Sequence, residues 1–340
     1  MEKKIAYLLI LLSIFLLSSC IGRQEMEDLA LLEVYRGDVV EQKSSNLITS
    51  IRSRAMEINP AALTRLMETE RDLERIVELN LFPNVQYIAM FEEPEWRTAN
   101  GYTLKGKIVG EPTSGIYLAV NGEMIVMNIL SDSGEYMVEY NGAYHEVIQL
   151  SENKDFHVGS AEKVYKNLDD TQNDAMIYHS AETNLPLGTE KSTIDLFFVF
   201  STEAKDAAGG LDNLQNYINL AILQTNQSFE NSMINLEVQL ILMGETPIEP
   251  ENYSEALYCI TEKEDGCLDE VHGYRDQYYA DVIVYLINDD SYCGLSWLMS
   301  THNDYAEQNG FTVVNWRCLS SQFALARELG KIMGAQTDHE

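Results

Sequence analysis

The stretch Ser321-Gln322-Phe323-Ala324-Leu325-Ala326-Arg327-Glu328-Leu329-Gly330-Lys331-Ile332-Met333-Gly334-Ala335-Gln336-Thr337-Asp338-His339-Glu340 is the most informative in the sequence. Its apolar Phe323-Ala324-Leu325-Ala326 run leads into a helical segment where Arg327 and Lys331 stand four residues apart, which puts both on one face. Glu328 lies between them, and its i, i+3 spacing to Lys331 is also that of an ordinary solvated ion pair. Gly334, Thr337 and Asp338 follow at fixed intervals.

Those intervals match the zinc-protease pattern H-E-x-x-H-x-x-G-x-x-H followed by Asp. In that pattern two His four residues apart hold Zn²⁺ together, and the Glu between them polarises the metal-bound water. The Gly lets the chain turn sharply, so that a third His returns to the same metal. Here Glu328, Gly334 and Asp338 keep their places, while Arg327, Lys331 and Thr337 stand at the three ligand positions. A guanidinium is not deprotonated in proteins, and an ammonium has no lone pair to offer a metal. Two cations at the ligand positions repel Zn²⁺, and Thr337 alone does not hold zinc against water. The expectation is a site without metal and without cofactor, in which Glu328 is a general base stranded by the loss of its partners.

The likeness continues upstream over roughly residues 193–338. Ile194-Asp195-Leu196-Phe197-Phe198-Val199-Phe200-Ser201-Thr202-Glu203-Ala204 comes first, then Thr225-Asn226-Gln227-Ser228-Phe229 with Asn231-Ser232. Tyr279-Ala280-Asp281-Val282-Ile283-Val284, Cys293-Gly294-Leu295-Ser296-Trp297 and Val313-Val314-Asn315-Trp316-Arg317-Cys318 complete the series. In this order and spacing the segments resemble bacterial metzincins of the peptidyl-Asp metalloendopeptidase type, relatives of the reprolysins. The resemblance implies an α/β upper subdomain, a zinc metalloendopeptidase ancestry, and a sheet edge near Gly294-Leu295-Ser296-Trp297 that takes extended peptide by strand addition. It also implies a Met-containing turn and a lower subdomain beyond the helix. Neither stands before Glu340, so the expected domain is incomplete and its cleft lacks one wall.

At the other end, Met1-Glu2-Lys3-Lys4 is a short basic start and Ile5 through Leu17 is almost uninterrupted apolar sequence. That is a secretory signal layout, too short for a comfortable membrane-spanning helix. Leu17-Ser18-Ser19-Cys20 resembles a bacterial lipobox, which makes Cys20 the expected lipidation site and mature N-terminus. Multiple acyl chains anchor stably where one does not. The expected location is outside the cytoplasm, tethered to a bacterial membrane at the cell envelope or surface.

Cysteine usage agrees with that compartment. Setting Cys20 aside leaves Cys259, Cys267, Cys293 and Cys318, an even set that reads as two disulfides in an exported chain. Three pairings are possible; the short loop favours Cys259 with Cys267, which leaves Cys293 with Cys318 to brace the approach to the terminal helix. Cys20 is the one Cys before residue 150, so latency through a prodomain thiol is excluded. Lys plus Arg number 23 against 54 Asp plus Glu, a formal net charge of −31. Phosphate contacts need clustered cations, so a nucleic-acid partner is not expected.

Along the chain, Gln24 to about Leu81 reads as helical, with Leu29, Leu32, Val34, Val39, Val40, Leu47 and Ile51, then Leu63, Leu66, Leu73 and Ile76 as its apolar positions. Asn59-Pro60 punctuates it, with Pro60 suited to a first helical turn. From Val85 to Leu150 the period changes to that of strands, at Tyr102–Gly110, Gly115–Val120, Met124–Ile129, Glu135–Tyr140 and His145–Leu150, with Asn121-Gly122 and Asn141-Gly142 at hairpin positions. Beyond a polar stretch come a strand at Thr193–Phe200, a helix at Leu211–Phe229, strands at Leu236–Leu242 and Ala280–Ile287, and a helix at Glu270–Tyr278. Ser201-Thr202-Glu203 reads as a helix cap. The six His form no H-x-x-x-H pair, and Tyr274, Tyr278, Tyr279 and Tyr285 read as core rather than as a ligand box.

The fold class expected is thus an α+β multidomain chain. Residues 1–19 are a lipoprotein signal peptide, 20–150 a prodomain-like region of helices plus a small antiparallel sheet, 151–190 a linker, and 191–340 a metzincin-like domain incomplete at its C-terminus. The function expected is an exported lipoprotein of the metzincin family that neither binds zinc nor cleaves peptides. The alternative is a cell-envelope lipoprotein that binds a peptide or protein partner without catalysis. An active-family sequence altered at its ligands and an adhesive lipoprotein with a protease relic are the remaining readings.

Overall fold

A computed structural model describes residues 30–37, 49–67, 75–98, 101–151, 191–298, 309–321 and 323–335. Contacts divide the chain into two compact units: Met1–Glu41 with Ser50–Leu150, and Gln42–Thr49 with Ser151–Glu340. Among the described residues, no helix is long and apolar enough to cross a membrane.

The first unit is built on one sheet of β1 (Leu32–Val34), β2 (Ser50–Ile58), β3 (Arg75–Phe82), β4 (Val85–Phe91), β5 (Glu95–Trp96), β6 (Gly101–Ile108), β7 (Gly115–Asn121), β8 (Met124–Ser131), β9 (Gly134–Tyr140) and β10 (His145–Leu150). The order is β1-β2-β10-β9-β8-β7-β6-β4-β3, with β5 on β6. The two ends of this order meet: Ala30 bridges Glu78, and the Leu31 N–H donates to the Glu78 carbonyl at 2.9 Å. The sheet therefore closes into a barrel. Alternate residues of its strands point inward, among them Val77, Leu79, Leu104, Leu118, Met127 and Val138, and form one buried core. The single described helix of this unit, α1 (Pro60–Met67), adds Ala62, Leu63 and Leu66 to that core.

This corrects the helical reading of residues 24–81. Only Pro60–Met67 is helical among the described residues there; Leu32–Val34, Ser50–Ile58 and Arg75–Phe82 are strands. The misleading signal was a few apolar residues at spacings compatible with a helix. In Arg75–Phe82 the buried residues Val77, Leu79 and Leu81 alternate with half-buried Ile76, Glu78 and Asn80, which is a period of two. The helix start at Pro60 holds, with Asn59 Oδ1 accepting from the N–H groups of Ala61 and Ala62 at 3.0 and 3.3 Å. The small sheet expected after Val85 is present but forms part of the larger barrel. Its Asn141 hairpin is tied by Asn141 Oδ1, which accepts from the Ala143 and Tyr144 N–H groups.

The second unit alternates as its pattern indicates. It comprises β11 (Ser192–Ser201), α2 (Thr202–Ala207), α3 (Leu211–Asn231), β12 (Leu236–Thr246), α4 (Tyr253–Thr261), α5 (Glu270–Tyr278), β13 (Val282–Ile287), β14 (Gly294–Ser296), β15 (Phe311–Asn315), a 3₁₀ turn (Trp316–Ser320) and α6 (Ala324–Ile332). The sheet order is β12-β11-β13-β15-β14, parallel except for β14, which runs antiparallel to β15 at one edge. All six residues of central β13 are buried, as expected for a strand covered on both faces. One face carries α4 and α5, whose Leu257, Ile260 and Val271 pack with Ile283, Tyr285 and Val313. Against the other lie α3 and α6. Ser201 caps α2, its Oγ accepting from the Ala204 N–H at 3.1 Å.

The four tyrosines read as core divide. Tyr285 is fully buried, but Tyr274, Tyr278 and Tyr279 are exposed, because α5 turns their side of the helix to solvent and Tyr279 sits in the left-handed cap after it.

Candidate functional site

Helix α6 lies beside β14 and β15 and carries Arg327, Glu328 and Lys331. Glu328 has no exposed surface and Lys331 only 6 %. The helix has a strongly apolar face, with Leu325, Leu329 and Ile332 buried, and Glu328 falls within that buried surface beside the sheet edge. The solvated surface pair that i, i+3 spacing also permits is therefore not what forms.

The Glu328 carboxylate is enclosed by donors. Lys331 Nζ lies 2.9 Å from both of its oxygens. The Ser296 hydroxyl donates to Oε2 at 2.6 Å, and Arg327 Nε lies 3.5 Å from Oε1. Ser296 Oγ also lies 2.8 Å from Thr312 Oγ1, and the Thr312 hydroxyl reaches the Leu295 carbonyl at 3.2 Å. The result is one chain of polar contacts, Lys331–Glu328–Ser296–Thr312, joining α6 to β14 and β15. A Cβ on Gly294 would stand 2.7 Å from Glu328 Cγ and 2.9 Å from Cδ, so only a glycine at the start of β14 admits the carboxylate.

Two features frame this cluster. Cys293 is bonded to Cys318, which fastens the residue before β14 to the 3₁₀ turn that precedes α6. The other disulfide joins Cys259 to Cys267, so both pairings follow the short-loop reading. On the opposite face of the sheet edge, Tyr253 donates to the carbonyls of Asp289 and Tyr292. Burial pushes the Tyr253 phenol well above its usual pKa, with the charges of Asp289, Glu328 and Asp290 adding to the rise.

Gly334 ends the helix at φ +90°. The Gly334 N–H donates to the Lys331 carbonyl at 2.9 Å and the Ala335 N–H to the Gly330 carbonyl at 2.8 Å. That pair of bonds is a Schellman cap, which favours glycine at this position. Thr337, Asp338 and Cys20 lie outside the described residues.

These residues do not fit zinc. An ammonium occupies both oxygens of the one carboxylate, and a protonated Lys offers no lone pair. Among the described residues, no three His, Cys, Asp or Glu converge as a metal would require. In the sequence Gly294 and Ser296 stand only within the Cys293–Trp297 likeness, and Thr312 lies outside every segment of it. No sequence signal tied them to Glu328, because their link to it is made across 16 to 34 residues by the β14–β15 pairing and the docking of α6.

No protein-family model matches the chain. Curated proteins do. It is 29% identical over 237 residues to a peptidyl-Asp metalloendopeptidase of Stenotrophomonas maltophilia, a match covering 67% of this chain and 52% of that one. A peptidyl-Asp metalloendopeptidase of Xanthomonas campestris is 33% identical over 149 residues, 43% of this chain and 34% of its own. The chain is similar to these metalloendopeptidases. It spans about half the length of the relatives it matches. Among solved structures, metalloproteinase-II from Bacteroides fragilis aligns with 82% of the chain and 85% of its own at 10% identity and a TM-score of 0.43.

Proposed function

We propose that this chain is a non-catalytic protein of metzincin descent, exported and held to a bacterial membrane by lipid on Cys20. The observation that carries the reading is the Lys331 ammonium lying 2.9 Å from both oxygens of a fully buried Glu328. A general base must reach a proton on water or substrate. Here the carboxylate's lone pairs are already taken by Lys331 and Ser296 inside the protein, and the ligand positions beside it carry cations. Two disulfides in the second unit support an oxidising compartment. In this reading the N-terminal barrel stands where the relatives' prodomain is expected.

In place of cleavage, the second unit binds an extended peptide or protein segment along β14. What supports this is its place at the edge of the sheet, with β15 as its only partner among the described strands.

Metal analysis of dialysed protein and casein digestion with and without chelator test the first statement. Less than a tenth of a zinc per chain and no chelator-sensitive cleavage are expected, roughly the background of such an assay; about one Zn per chain overturns it. Replacing Arg327, Lys331 and Thr337 together by His tests the descent: zinc uptake and a zinc-dependent rise in Tm are expected. A folded triple variant that takes up no more zinc than the parent removes the metzincin reading. Cys20→Ser should abolish acyl labelling and leave the precursor uncleaved.

A further inference from the structure

The geometry points to an oxyanion-binding site at the end of the first unit's barrel where β2 begins and β3 ends, built around Arg52. Cross-strand pairing fixes which way this residue faces. Arg52 is opposite Gln149 and Arg54 opposite Val147. Val147 belongs to the barrel core, so both arginines stand on the inner face of β2.

Arg52 lies across the end of the barrel with its guanidinium carbon 4.0 Å from the centre of the Phe82 ring. Its Nε donates to Gln149 Oε1 at 2.7 Å and its Nη1 to Asn84 Oδ1 at 2.8 Å. Both acceptors are neutral amides, and they use two of the five guanidinium N–H groups. Among the described residues, no carboxylate pairs with Arg52 or Arg54. At the β8–β9 turn Asp132 accepts from the Thr113 hydroxyl and Glu111 from the Asp132 N–H, each at 2.9 Å. Arg52 and Arg54 thus stand on the inner face of β2 with no carboxylate paired to either among the described residues, in a chain with 54 acidic and 23 basic residues.

Hydroxyl groups continue the rim. Tyr87 Oη is 3.0 Å from Ser131 Oγ and 2.5 Å from Ser133 Oγ, and Ser133 Oγ is 3.5 Å from Tyr136 Oη. The Tyr136 ring packs 6.3 Å from Phe82, beneath the Arg52 stack. Forked guanidinium donors beside rotatable hydroxyls over an aromatic floor suit a compact oxyanion, a carboxylate or a phosphate group. This site is independent of the Glu328 cluster and of the reading built on it.

The test is an NMR titration of the full chain, following the Arg52 Nε–H and the Ser133 backbone N–H. Sodium acetate and inorganic phosphate are added separately, against sodium chloride at matched ionic strength. Saturable shifts with at least one oxyanion and none with chloride are expected, and the tighter of the two identifies the headgroup. Arg52→Gln should weaken that binding about tenfold or more. Tyr87→Phe keeps the ring, removes one hydroxyl and should weaken binding severalfold, so it stands in if Arg52→Gln does not fold. Shifts that follow chloride, or an affinity unchanged in the folded variants, overturn the proposal.

Discussion

Lys331 Nζ is equidistant, at 2.9 Å, from the two carboxylate oxygens of Glu328, three residues earlier on the same helix. Among the described residues of the second unit, no other ion pair is so deeply buried. Removing both from water costs several kcal/mol per ion, so the pair persists only because each partner meets the other and Ser296 satisfies the carboxylate further.

Truncating one partner should therefore be more damaging than neutralising both. Lys331→Met leaves a buried, uncompensated carboxylate and should lower stability by roughly 3–5 kcal/mol. Adding Glu328→Gln to that variant should restore a large part of the loss. A urea-unfolding double-mutant cycle reads the coupling; strictly additive effects would show that the two side chains do not form this pair.

Gly294 is bound to the same cluster by space alone. Gly294→Ala drives a methyl to 2.7 Å from Glu328 Cγ, and either β14 or α6 must shift. A loss of about 1–3 kcal/mol is expected, the range of overpacked cores. An unchanged unfolding midpoint would mean that the strand and helix do not approach this closely.

The barrel carries a pH dependence of its own. Burial pushes the His145 pKa from 6.5 down to about 4. Its Nε2 accepts the Ile125 N–H at 3.1 Å, and Tyr140 lies 5.0 Å away ring to ring, so the neutral ring is what the fold accommodates. Between those two pKa values the unfolded chain binds a proton that the folded chain does not. Stability is therefore full above about pH 6.5, falls as pH drops, and levels off near pH 4 where the folded state also protonates; the total is about 3 kcal/mol. Comparing the pH dependence of unfolding with that of His145→Gln isolates this contribution, and equal slopes in the two proteins would refute it.

The two disulfides should contribute unequally. Cys293–Cys318 closes a separation of 25 residues and Cys259–Cys267 one of 8. Chain entropy assigns the longer loop about 3 kcal/mol and the shorter somewhat less. Replacing Cys293 and Cys318 by Ser should lower Tm more than replacing Cys259 and Cys267, and the reverse order in calorimetry would count against the assignment.

Legibility varied along the chain for identifiable reasons. In the second unit, β13 reads Val282-Ile283-Val284-Tyr285-Leu286-Ile287 and α3 runs for 21 residues, so length and period separate strand from helix. In the first unit, Ser50-Ile51-Arg52-Ser53-Arg54-Ala55-Met56-Glu57-Ile58 has charged residues on its inward face and Ile51 on its exposed one, which masks the alternation that defines a strand. Hydrophobic periodicity cannot reveal a strand whose inward positions include Arg52 and Arg54. The closure of the barrel was equally hidden, because it rests on a backbone bond between Leu31 and Glu78, residues with no local relationship.

The identity and spacing of Arg327, Glu328, Lys331 and Gly334 were settled by the chain itself, and with them the absence of imidazole at the ligand positions. Covalent spacing sets which side chains share a helical face, and ionisation chemistry sets which of them can hold a metal. Tertiary structure alone decided that Glu328 turns inward. A Glu and a Lys three residues apart form a loose solvated pair on most helices. Here α6 docks its apolar face on the sheet edge, Gly294 leaves room for the carboxylate, and Ser296 arrives from a neighbouring strand to donate to it. Burial then makes the pairing of Glu328 with Lys331 necessary, because an unpartnered carboxylate there would be desolvated without compensation, which no window of sequence encodes.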